Sequence, residues 1–161
     1  MSVEIKISIS EDVLNVCPEF CMAAIECKVK NSTYSRGLWE EINSLISHFT
    51  KSYKMEDIKK RPTIEATRMI YKKLGKDPNR YRPSGEALCR RLLKGQGLYQ
   101  IDTIVDLINL VSLKTGYSIG GFDADKIEPH EIEILELNFD LEQPLHIITG
   151  FLVLEFIAGH M

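Results

Sequence analysis

The chain is most easily approached through what it does not contain. It has no run of eighteen apolar residues, so no membrane-spanning helix and no membrane partner is expected. Its N-terminus, MSVEIKISIS, lacks a basic region followed by an apolar stretch, which argues against a signal peptide and for a cytoplasmic location. No Walker loop, GxGxxG, HExxH or GxSxG is present, so the nucleotide, zinc-protease and hydrolase chemistries that announce themselves by motif are excluded. Cysteine is sparse: Cys17, Cys21, Cys27 and Cys89. Cys17 and Cys21 are four apart, but no second ligand pair at zinc spacing follows, and His48, His130, His146 and His160 are scattered. Reduced thiols in a cytosolic protein, with no metal and no cofactor, are the expectation. Aromatics make up 8% of residues and form no RNP-type pair, so an RRM is not supported. There is no internal repeat, low-complexity segment or dividing linker, and 161 residues lead us to expect a single domain over 1–161.

What is present is an uneven charge. Residues 59–94 hold twelve cations against Glu65, Asp77 and Glu86, a local charge of +9 within a chain of net charge −3. A basic surface of this kind can meet phosphates, whereas the plainer reading is a solvated helical pair balanced by acids elsewhere.

In chain order, Val3, Ile5, Ile7 and Ile9 alternate with polar residues and predict a half-buried strand. Ser10 before Glu11 and Asp12 starts a helix that Pro18 keeps short. Phe20 to Val29 reads as a buried strand ending in the turn Lys30-Asn31-Ser32. Leu38, Ile42, Leu45, Ile46 and Phe49 predict a helix over 35–53, with Trp39 completing its apolar side. Pro62 suits the first turn of the next helix, with Ile64, Met69, Ile70 and Leu74 inside, Arg68 and Lys72 on an outer face, and Gly75 at the close.

The stretch 79–128 organises the rest. Asp77-Pro78-Asn79 is a turn, Ser84 opens a basic helix as its cap, and Gly95-Gln96-Gly97 stops it. A helix over 102–115 follows, apolar except for the stripe Asp102, Asp106, Asn109 and Ser112. Its apolar content predicts burial, so Asp106 and Asn109 should hydrogen-bond neighbouring loops. Gly116 caps it, and Ser118 to Phe122 is a strand whose Gly120-Gly121 permits close backbone approach or unusual dihedrals. Asp123 and Asp125 read as capping or lysine-pairing groups in preference to a cation site. Ile132, Ile134 and Leu135 resume a strand pattern, and Leu145 to Ala158 is apolar but too short to span a bilayer.

The motifs Arg82-Pro83-Ser84-x-Glu86-Ala87-Leu88-x-Arg90-Arg91, Lys94-Gly95-x-Gly97-Leu98, Asp106-Leu107-x-Asn109-x-Val111-Ser112-Leu113-Lys114-Thr115-Gly116 and Gly120-Gly121-Phe122-Asp123-x-Asp125-Lys126-Ile127 occur in that order. Together they resemble the tRNA-binding and editing domain of the phenylalanyl-tRNA synthetase beta chain, most closely its free-standing relatives. The resemblance is strong over 61–128. It implies an α+β fold with mixed β-sheets packed with helices, a tRNA partner, and editing of mischarged aminoacyl-tRNA. On that basis Arg82, Arg90, Arg91 and Lys94 are the RNA-phosphate candidates. Ser84, Glu86, Asn109, Gly120 and Gly121 are the ligand-pocket candidates. Two departures stand out. Where the family's editing pocket carries a threonine and a histidine, this chain has Ile108 and Gly120. Residues 129–161 lack the family's glycine-rich continuation, which implies a divergent or truncated tail. The alternative is a non-catalytic module that binds an amino-acid-like ligand or a protein partner.

Overall fold

The computed structural model describes residues 5–123, 126–127, 131–134 and 150–157. The elements run β1 (Lys6–Ile9), α1 (Glu11–Val16), β2 (Phe20–Glu26), α2 (Arg36–Ser52), a 3-10 turn (Ile58–Lys60), α3 (Pro62–Lys73), α4 (Ser84–Leu93), α5 (Thr103–Thr115), β3 (Ile119–Asp123), β4 (Glu131–Ile134) and β5 (Gly150–Ile157). Helices and a few strands make this an α+β chain. β1 runs parallel to β4, with Lys6 opposite Glu131. β5 lies between β2 and β3 and is antiparallel to both. Among the described residues no helix is long and apolar enough to cross a membrane.

Local chemistry sets most boundaries. The Ser10 hydroxyl accepts the Val13 N–H, and the Ser35 hydroxyl accepts the Leu38 N–H, so α1 and α2 begin where their caps stand. Asp102 accepts from the Ile104 and Val105 N–H groups at 3.0 and 2.9 Å. At the other end of α5, Gly116 takes φ +83°, which ends the helix in the left-handed conformation. Pro62 is the first residue of α3, where its missing N–H costs nothing.

Among the described residues two apolar clusters stand out in the core. The smaller joins Val13, Cys17 and Phe20 to Ile70 and Tyr71. The larger joins Phe49, Ile58, Ile64, Cys89, Leu92 and Leu113. α3 serves both, Ile64 on one side and Ile70 on the other.

Several expectations are corrected here. β2 is not buried along its length: Phe20 is, but Ile25 is 43% exposed. Met69 is 55% exposed, and Thr67 and Tyr71 complete the inner face of α3 in its place. α5 is buried at Val105, Asp106, Leu110, Ser112 and Leu113 but leaves Leu107 51% exposed. Strict four-residue spacing identifies a face but not how wide a stripe the neighbours cover. The Cys21 side chain, Asp125, Leu135 and the segment 145–149 lie outside the described residues.

Candidate functional site

The basic helix α4 presents its charges in two distinct ways. Arg82, just before it, and Lys94, at its end, are exposed and have no partner among the described residues. Arg90 and Arg91 are tied into the fold. Arg90 Nε donates to Glu86 Oε1 at 2.7 Å. Arg91 Nε donates to the Gly97 carbonyl at 2.8 Å, and its guanidinium lies 3.8 Å from the centre of the Tyr99 ring. Of the four phosphate candidates, two therefore stand free and two organise their own helix and the turn after it.

Glu86 is fully buried. Its second oxygen accepts from Arg68 Nη1 at 2.8 Å, and Arg68 also donates to the Pro78 carbonyl and to Asn79 Oδ1. The outer-face placement expected of Arg68 is thus replaced by an inward ion triad, Arg68–Glu86–Arg90. The reason is that a buried carboxylate is stable only when paired. Glu86 holds α3, the 77–79 turn and α4 together.

The start of α4 lies against the turn between α5 and β3. The Gly85 N–H donates to Ser118 Oγ at 3.4 Å. A Cβ on Gly85 would come within 2.7 Å of the Gly116 carbonyl oxygen, so only glycine permits this approach. Ser84 is the first helical residue; Pro83 holds the cap position and no side chain caps the helix. The expectation that Ser84 is the cap therefore fails, because the backbone before it is fixed by proline. Gly120 and Gly121 sit in β3 opposite Val153 and Leu152. Neither is among the positive-φ glycines, so they adopt ordinary extended backbone. Gly85, between Ser84 and Glu86 in the chain, thus meets the turn that enters β3, while the Glu86 carboxylate is taken by Arg68 and Arg90. Asn109 stands on α5 one turn before Ser112 and has no hydrogen-bond partner among the described residues.

Asp106 is buried and fully engaged. Oδ2 accepts the Trp39 indole N–H at 2.7 Å, and Oδ1 accepts the Ile101 N–H at 3.2 Å. The hydrogen bond to the preceding loop is as expected for a buried carboxylate, and Trp39 adds a link to α2. Asp123 pairs with Lys126 at 3.2 Å, the lysine pairing expected of it.

Sequence reasoning missed Arg61. Its guanidinium donates to the Leu113 and Lys114 carbonyls at 3.0 Å each and to Cys89 Sγ. It also lies 5.7 Å from the Phe49 ring centre and 5.8 Å from that of Tyr53. Arg61 thus caps the C-terminus of α5 from 52 positions away, which no local pattern signals. An open depression of about 500 Å³ beside it is lined by Tyr53, Asp57, Lys60, Arg61, Pro62, Thr63 and Thr115, and contains none of the expected pocket residues.

α4 thus buries Gly85, Glu86, Cys89 and Leu92, while Arg82 before it and Lys94 at its end stay exposed. The family model of the B3/4 domain matches residues 66–147, half of the chain. The chain therefore belongs to the B3/4 domain family, the domain type of the phenylalanyl-tRNA synthetase beta chain. The match runs past Glu128, so part of the tail that carries no recognisable motif lies within the family's span. No curated protein and no solved structure matches the chain.

Proposed function

We propose that this B3/4 domain is a tRNA-associated, editing-type module, with an editing-domain-like fold, that acts in trans on mischarged aminoacyl-tRNA. The observation that carries the reading is the coincidence of the family match with the basic α3–α4 region, whose Arg82 and Lys94 remain exposed and unpaired. Those cations can neutralise phosphates without dismantling the core, whereas Arg90 and Arg91 cannot leave their partners freely. Hydrolysis here would not use a side-chain nucleophile. Glu86 and Asp106 are committed to other groups, and Ile108 and Gly120 offer no polar side-chain atom. Backbone N–H groups and a positioned water would have to orient the ester.

The second reading, a non-catalytic module for an amino-acid-like ligand or a protein partner, is favoured by the same commitment of Glu86 and Asp106. One experiment separates the two: deacylation of a panel of mischarged tRNAs, with filter binding of uncharged tRNA at two salt concentrations. The editing reading expects hydrolysis of one mischarged species and an affinity that falls steeply with salt. Salt-sensitive binding without hydrolysis would reduce the proposal to an RNA-binding domain. The absence of both activities would transfer it to the second reading.

A further inference from the structure

The turn after α4 holds an aromatic platform that the proposed function leaves unused. Gly95 and Gly97 take φ +71° and +65°, giving a tight reversal. Arg91 is fixed to it by the bond from Nε to the Gly97 carbonyl, and the guanidinium then covers one face of Tyr99 at 3.8 Å. Tyr99 is nevertheless 63% exposed, so the remainder of its ring is open to solvent. Lys94 stands exposed and unpaired at the start of the same turn. A held aromatic face with cations beside it matches what an unpaired nucleotide requires: a surface on which the base stacks and a charge for its phosphate. A duplex keeps its base faces inside the stack and has no use for the ring.

We propose that the Arg91–Tyr99 pair is a stacking platform for an unpaired nucleotide of RNA, with Lys94 meeting an adjoining phosphate. This rests on the tRNA reading above and adds which part of the RNA the face takes, a single-stranded segment. The test measures binding of a short oligoadenylate, a blunt RNA duplex of equal length and uncharged tRNA at low salt. The proteins are the unsubstituted chain, Tyr99→Ala and Tyr99→Phe. The platform expects Tyr99→Ala to lose on the order of ten-fold in affinity for the oligoadenylate and nothing for the duplex, with Tyr99→Phe restoring the loss. Binding of tRNA or oligoadenylate that is indifferent to Tyr99→Ala overturns the platform and leaves the tRNA reading standing. No RNA binding by the unsubstituted chain overturns both and turns exposed Tyr99 and Ile101 toward a protein partner.

Discussion

Gly85 occupies a position where a single methyl group has nowhere to go. The nearest atoms to a Cβ there are backbone: the Gly116 oxygen at 2.7 Å and the Tyr117 oxygen at 3.0 Å. Neither can rotate aside, so Gly85→Ala should destabilise the protein by about 2 kcal/mol, read as a lower midpoint in urea denaturation at unchanged slope. The cysteines give a second prediction at this scale. Cys17 and Cys89 are buried and Cys27 is exposed. Burial pushes both buried thiols up from their ordinary value, for Cys89 against the pull of the Arg61 guanidinium. Iodoacetamide should therefore alkylate Cys27 in the native protein and spare Cys17 and Cys89 until denaturant is added, as peptide mass mapping would show. Single residues were the least legible part of the sequence. Met69 has the right spacing for an inner face yet is exposed, because helical periodicity says nothing about where the neighbouring elements stop. Arg68 looks like a surface cation beside Lys72 until Glu86, 18 positions on, is seen to need it.

Elements were far more legible, because their signals are local. Ser35 and Tyr53 bracket α2 where the apolar spacing and cap residues predict, and Asp102 and Gly116 do the same for α5. Asp102→Ala removes the acceptor of the Val105 N–H and one of the two acceptors of the Ile104 N–H, which also meets Asn31 Oδ1, and should cost about 1 kcal/mol, measured by thermal unfolding. The far end of α5 depends on a residue that no local signal reveals. Arg61→Ala would leave the Leu113 and Lys114 carbonyls without their cap and remove a cation from two aromatic faces. A loss of about 2 kcal/mol is expected in the same measurement. The triad at α4 predicts a sharper outcome: Glu86→Gln leaves Arg68 and Arg90 in place around a neutral amide, and should destabilise by about 3 kcal/mol, since an unbalanced buried charge costs more than the pair contributes.

At the scale of the whole molecule, the basic 59–94 segment was visible as a number before any fold was known, and the family match begins within it and runs on past it. What the number could not convey is how the charge divides. Charge counting weighs Arg82 and Arg90 equally, while the fold leaves one in solvent and sets the other against a buried carboxylate. If tRNA is bound through phosphates, Arg82→Ala with Lys94→Ala should weaken binding and shallow its dependence on log salt by about 2, without lowering the unfolding temperature. Arg90→Ala should instead lower the unfolding temperature.

The position of β5 has a consequence for how the molecule comes into being. Among the described residues β2 and β3 do not pair with each other; each pairs with β5, and Phe20 must meet Ile157, 137 positions later. The helices meet over shorter separations, the Trp39–Asp106 bond between α2 and α5 spanning 67 positions. On a ribosome, β2 would emerge with both edges unmet and remain so through the synthesis of every helix. Refolding from denaturant should show the same order, with helical signal returning before protection of the β2 amides, because contacts so distant in sequence are the slowest to form.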